Sequence, residues 1–224
     1  MKNIRLVLVT LLMCINQTLL FAQATNPTPQ SLPYSQNFSS VAHTSTSYPA
    51  GWQGWVIGTT SSTSFRTTAP TANVALAASS TAATTTGGVQ NYNGKLGLLS
   101  SSSTDVALCL ALNTTGFYRA VISASGTSTI RNPHDGSANT RINEFTLQYR
   151  VGTSGSFTTL FTVYSNNTTN QTTAVTTPQN NQLKNYLLPT DADNQPVVQV
   201  RWVQRDNNGS YNPTKQSIDR KSVV

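Results

Sequence analysis

Strict two-residue alternation, repeated in several short runs, constrains this chain more than any other feature. In residues 144–151, Phe145, Leu147, Tyr149 and Val151 share one parity, and Glu144, Thr146, Gln148 and Arg150 the other. Val198, Val200 and Trp202 alternate with Gln199 and Arg201 in the same way. Successive side chains of a β-strand point to opposite faces, so this pattern fits a half-buried antiparallel strand. Gly152 to Gly155 then offers a turn and residues 157–164 a return, which predicts a hairpin. Further strands are expected at 34–38, 52–58, 95–99, 105–112, 117–125 and 183–188, with 222–224 as a closing edge strand. No later segment combines apolar residues at helical spacing with capping signals. The expectation is an all-β antiparallel β-sandwich, a jelly roll of about ten strands with no substantial helix. Residues 77–88 and 166–181 are low in complexity and read as long surface loops, and no internal repeat is visible.

The first residues bear on compartment. Lys2 and Arg5 form a positive start, Leu6 to Leu12 and Leu19 to Phe21 supply an apolar stretch, and Ala22-Gln23-Ala24 is a small-x-small site. This predicts a cleavable signal peptide over 1–24, a mature start at Thr25, and a secreted protein without a stable membrane anchor. A membrane span needs about 20 unbroken apolar residues, and Asn16 and Gln17 interrupt this one. Residues 25–224 then read as a single β-sandwich domain. Only 9% of residues are charged, as suits a surface solvated by hydroxyls and amides. Of the formal charge of +7, Lys2 and Arg5 carry two, leaving +5 on the mature chain. These charges are scattered, with no basic stripe of the kind nucleic acids require, so no nucleic-acid partner is expected. Cys14 leaves with the signal peptide, and Cys109, inside the apolar run 106–112, reads as a buried inert thiol.

Catalytic groups are scarce. His43 and His134 are the two histidines, Glu144 is the sole glutamate, and there are six aspartates. Neither His-Glu-x-x-His nor Gly-x-Ser-x-Gly occurs, so no catalytic residues are assigned and the chain reads as a non-enzyme. A glycosidase-like hydrolase would need two carboxylates facing across a cleft, which sequence separation alone does not forbid. Glu144 reads as a solvated partner of Arg150.

Binding residues are sought in loops and in aromatics outside the alternation. Residues 131–141 gather Arg131, His134, Asp135 and Arg141 with several amides, although Asn132-Pro133 and Asp135-Gly136 also spell turns. Trp52, Trp55, Tyr92, Tyr118 and Tyr211 fall outside clean alternation. An exposed ring of this kind stacks on the apolar face of a sugar, while a buried one plugs the core. The expected ligand-binding set is Trp52, Trp55, Tyr92, Arg131, His134, Asp135 and Arg141. Ser217-Ile218-Asp219 adds a carboxylate near the C-terminus that could serve calcium, a hard cation that prefers oxygen ligands.

Leu32-Pro33-Tyr34-Ser35-Gln36-Asn37-Phe38 followed by Tyr48-Pro49-Ala50-Gly51-Trp52 resembles the opening of jelly-roll modules in secreted Bacteroidetes proteins, of the choice-of-anchor J type. These are distantly similar to cleaved-adhesin and MAM-like domains. Asn91 to Gly97, Leu147 to Gly152 and Val200-Arg201-Trp202 extend the resemblance over nearly the whole mature chain. It implies an adhesive or accessory module at the N-terminus of a larger exported protein, with calcium in some relatives; the partner expected from the aromatics is a polysaccharide or cell-surface ligand. The relatives close with Ile-Asp-Asp or Ile-Asp-Asn, whereas this chain reads Ile218-Asp219-Arg220-Lys221. Asp219 carries over as a calcium ligand, weakened by two adjacent cations. With no sorting domain after Val224, a truncated product or a lone copy is expected. A secreted hydrolase and a purely structural spacer are the alternatives to adhesion or glycan binding.

Overall fold

The computed structural model describes residues 24–81, 84, 86–123, 127–131, 143–163, 179–182, 185–206, 215–218 and 221–223. In chain order its strands are β1 (Gln30–Ser31), β2 (Tyr34–Gln36), β3 (Trp52–Gly58), β4 (Ala72–Val74), β5 (Leu76–Ala77) and β6 (Gly88–Asn91). They continue as β7 (Leu96–Leu99), β8 (Asp105–Asn113), β9 (Val121–Ser123), β10 (Thr127–Arg131), β11 (Asn143–Val151) and β12 (Thr158–Val163). The last are β13 (Gln179–Gln182), β14 (Tyr186–Leu187), β15 (Val198–Asp206), β16 (Lys215–Ile218) and β17 (Lys221–Val223). One 3-10 turn, Thr190–Ala192, is the only helical element among the described residues.

The strands form three sheets. A seven-stranded sheet runs β12-β11-β15-β8-β3-β4, with β1 beside β8; a six-stranded sheet runs β13-β10-β16-β7-β6-β5; and β14-β9-β17-β2 form the third. All pairings are antiparallel except the two-residue contacts of β1 with β8 and β5 with β6. The predicted hairpin is present as β11 and β12, turning through Gly152 and Gly155 at φ 79° and 83°, a region open to glycine at little steric cost. The all-β expectation therefore holds.

Two sheets share one core. Val106, Leu108, Leu110 and Leu112 of β8 project toward Leu76, Val89, Leu96 and Leu98 of the six-stranded sheet, joined by Leu147, Tyr149, Val198, Val200 and Trp202. Burying each aliphatic side chain contributes roughly 1.5–3 kcal/mol, and this shared cluster is the main force holding the layers face to face. Trp52 lies at its centre, stacked on Trp202 at 5.4 Å and edge-on to Phe38 at 5.0 Å.

Several expectations need correction. The strands outnumber the ten expected because many span two or three residues, too short for alternation to register. Residues 221–223 pair with both β2 and β9, so they form an interior strand rather than a closing edge. Within the expected strand 117–125, residues 117–120 are a loop and only Val121–Ser123 pair before residue 124. Finally, the polar parity of β11 and β15 is not solvated: Thr146, Gln148, Gln199 and Arg201 are fully buried and Arg150 is 5% exposed.

Candidate functional site

The buried polar parity forms a layer on the outer face of the seven-stranded sheet. Strand β8 presents the small residues Ala107 and Cys109 there, leaving room for larger neighbours. Register places Gln53, Cys109, Arg201 and Gln148 in one row across β3, β8, β15 and β11. Arg201 donates through Nε to Gln148 Oε1 (2.9 Å), through Nη1 to the Thr68 carbonyl (2.9 Å) and through Nη2 to the Arg66 carbonyl (2.8 Å). Arg150 donates through Nε to Gln199 Oε1 (2.8 Å) and through Nη1 to the Gly155 carbonyl (2.8 Å). Both guanidiniums lie over the Phe157 ring, at 3.8 Å for Arg201 and 4.4 Å for Arg150, and Phe157 meets Trp55 edge-on at 6.2 Å. Burial pulls the Arg201 pKa down to about 9, and the neighbouring Arg150 charge pulls in the same direction, so the side chain is still protonated at neutral pH.

These arginines act as structural hubs. Their acceptors are neutral, and two of them belong to the 59–71 loop that covers the sheet. The same loop is fixed by the ion pair of Arg66 Nε with Asp105 Oδ2 (2.9 Å) and by Phe157 N–H donating to the Thr67 carbonyl (2.7 Å). Burial raises the Asp105 pKa, opposed by donation from Ser100 Oγ (2.7 Å) and by Arg66. Cys109 is fully buried, and burial drives its thiol pKa upward, as expected for an inert core cysteine.

Exposed chemistry gathers instead at one end of this sheet. Among the described residues the large exposed hydrophobics are Phe117 (40%), Tyr118 (69%), Val151 and Leu187. Phe117 and Tyr118 follow β8, while Val151 closes β11, and the register Val151–Val198–Leu112 brings those strand ends together. The aromatic loop is braced. Phe117 N–H donates to the Thr114 carbonyl (2.8 Å), and Asn194 N–H donates to the Phe117 carbonyl (3.0 Å). Gly116 N–H donates to Asn194 Oδ1 (2.9 Å), and Arg119 N–H donates to Asp193 Oδ1 (2.7 Å). Thr114 Oγ1, fully buried, donates to the Ala192 carbonyl (2.7 Å). Arg119 adopts a left-handed φ of 58°, a conformation that costs a non-glycine residue roughly 1 kcal/mol or more and that the Asp193 bond helps hold. The result is two adjacent aromatic rings on a fixed backbone, beside an exposed guanidinium and a carboxylate. Such a tip can stack on an apolar ligand face and exchange hydrogen bonds with hydroxyls at its rim.

Of the expected binding residues, only Trp52, Trp55 and Tyr92 have side chains among the described residues, and the two tryptophans are buried. Trp52 is 3% exposed, with Nε1 donating to Tyr34 Oη (2.7 Å), and Trp55 is fully buried with Nε1 donating to the Thr25 carbonyl (3.0 Å). Neither ring presents a face to solvent, so the sugar-stacking role expected for them is corrected to core packing. Tyr92 is half-buried in the β6–β7 turn, where its N–H donates to the Lys95 carbonyl (3.0 Å). Arg131 ends β10 opposite Lys215. His134, Asp135, Arg141, Tyr211 and Asp219 lie outside the described residues. Tyr118 was singled out by its break in alternation, whereas Phe117, Arg119 and Asp193 were not. Strand alternation would have placed one ring of the Phe117–Tyr118 pair in the core, and both are exposed because residues 117–120 form a loop. The chain matches no family model, no curated protein and no solved structure.

Proposed function

We propose that this protein is a secreted, non-catalytic recognition module that contacts a polysaccharide or cell-surface glycan through the Phe117–Tyr118 tip. One observation carries the reading: two exposed aromatic rings stand on a loop whose backbone is pinned by Thr114, Asp193 and Asn194. A loop backbone already held in place loses little entropy when a sugar stacks on its rings, so more of the contact energy appears as affinity. Arg119 and Asp193 supply a donor and an acceptor beside the rings, suited to sugar hydroxyls. Export rests on the N-terminal charge, apolar stretch and small-x-small site, and the absence of catalysis on the scarcity of acid, base and nucleophile motifs. A jelly-roll topology of the choice-of-anchor J type and a place within a larger exported protein belong to the same reading.

The test is binding of the chain from Thr25 to a panel of polysaccharides, with calcium and with chelator. Saturable binding to one glycan class is expected, weakened about 10-fold or more by Tyr118→Ala or Phe117→Ala, which corresponds to roughly 1.4 kcal/mol. Tyr118→Ala should melt with the parent, because its ring is 69% exposed. Absence of binding across the panel, or binding that survives both replacements, would overturn this role.

A further inference from the structure

Arg119 occupies a strained position with a side chain that does nothing for the fold. Its φ of 58° lies in the left-handed region, which glycine enters at little cost and most other residues do not. Among the described residues, Phe38, Ser79, Asn93, Arg119 and Asn194 are the non-glycine residues in this region. Phe38 fills the core and asparagine tolerates the conformation, whereas Arg119 alone of these carries a long charged side chain. The Arg119 N–H donates to Asp193 Oδ1 (2.7 Å), a bond that glycine would make equally well. The residue is exposed, and among the described residues no hydrogen bond or ion pair engages its guanidinium. The carboxylates of the facing loop are held by other donors. Asp193 takes that backbone N–H, and Asp191 accepts from Tyr149 Oη through both oxygens, at 3.1 and 3.0 Å. We propose that Arg119 is the specificity-determining residue of this tip, and that the glycan it selects carries an acidic substituent, the carboxylate of a uronate or a sulfate ester.

A guanidinium is a planar fork of donors with no acceptor, and it meets a carboxylate or a sulfate through two parallel hydrogen bonds. A neutral sugar hydroxyl asks for less. An amide serves it, and Asn194 in the same tip shows that asparagine takes the left-handed region with its Oδ1 bonded to the Gly116 N–H. Arginine at 119, in place of asparagine or glycine, therefore brings charge together with strain, and an anionic partner is what uses the charge. Phe117 and Tyr118, 40% and 69% exposed, immediately precede it, so a sugar stacked on either ring has its substituents within reach of the Arg119 side chain. Asp191 and Asp193 oppose an incoming anion. Their repulsion is screened beyond about 8 Å at physiological salt, whereas a direct fork contact is not. The inference rests on the glycan reading of the tip and narrows it to acidic polysaccharides.

Polygalacturonate and carrageenan supply a carboxylate and a sulfate ester, and fully methyl-esterified pectin and desulfated carrageenan are their uncharged counterparts. The chain from Thr25 is expected to bind one acidic polymer at least about 10-fold more tightly than its counterpart, and Arg119→Gly should abolish that preference. Which acidic polymer binds tells a carboxylate from a sulfate. Arg119→Gly should also melt at or above the parent, by up to about 4 °C, because glycine relieves the left-handed strain. Equal binding of acidic and neutral polymers overturns the inference, as does an acid preference that survives Arg119→Gly. So does a variant melting more than about 2 °C below the parent, since the side chain would then hold the fold. Equal binding that is lost in Tyr118→Ala leaves the glycan contact standing without the acid preference. Absence of binding to these four and to the wider panel overturns both.

Discussion

Replacing Phe157 with leucine isolates what its ring does in the outer polar layer. Phe157 is 3% exposed and carries a buried guanidinium at 3.8 Å and another at 4.4 Å from its centroid. Leucine keeps an apolar side chain at the position but removes the negative ring face that both cations meet. A desolvated cation–π contact is worth about 1–2 kcal/mol, and an imperfect hydrophobic swap costs up to about 1.5 kcal/mol. The loss should be about 3 kcal/mol, a fall of roughly 6–12 °C in Tm for a domain of this length. A double-mutant cycle with Arg201→Met separates the two contributions, since the methionine keeps the apolar stem. Denaturant unfolding should return a coupling of about 1–2 kcal/mol between the positions. Arg201 holds its proton up to about pH 9, so the coupling should persist from pH 5 to 8 and fade as pH rises through 9. A coupling below about 0.5 kcal/mol at pH 7 would refute the argument and reduce Phe157 to an apolar plug.

Other outcomes follow from the same packing. Asp105 has a folded pKa raised above its ordinary 3.8, first by burial, so the folded state binds the proton more tightly there. Its contribution is full below 3.8 and lost as pH rises through the folded value, so the stability of the parent relative to Asp105→Asn should increase on acidification from pH 7 to 4. Melts across that range check the sign, and a parent that loses ground to the variant in acid contradicts it. Cys109 in the native chain from Thr25 should resist alkylation at pH 8 and react only after unfolding, and native labelling would show that the thiol is reachable. Gly54 has no room for a side chain, because a Cβ there would meet the Tyr48 hydroxyl and Val74 Cγ1. Gly54→Ala should therefore lower stability by about 1–3 kcal/mol in denaturant unfolding, and a neutral result would mean that Tyr48 moves aside freely.

The long strands were legible because each carries its own periodic signal. Residues 52–58 match β3, and 105–112 match β8 to within one residue. Trp202 was legible as core because it lies in phase with Val198 and Val200, and it stacks on Trp52. The two-residue strands β1 and β5 were not legible, since one pair of residues has no period and their pairing is decided by distant neighbours. The candidate site divides the same way. The break in pattern at Tyr118 was visible locally, but the bracing that makes it a platform comes from Asp193 and Asn194, more than 70 positions away.

By itself, the sequence determined the all-β class, the β11–β12 hairpin and the apolar parity that fills the shared core. These follow from side chains alternating along one strand, a local property that needs no partner. Only the tertiary structure decided the fate of the opposite parity. Gln148, Arg150, Gln199 and Arg201 read as solvated because polar groups facing water and polar groups facing buried acceptors alternate identically. What separates the cases is whether another segment covers them, and here the 59–71 loop and Thr25–Asn26 do so from 133 and 173 positions away. The same covering turned Trp55 from an expected ligand platform into a ring sealed beneath Thr25, and left exposed aromatic chemistry at Phe117 and Tyr118.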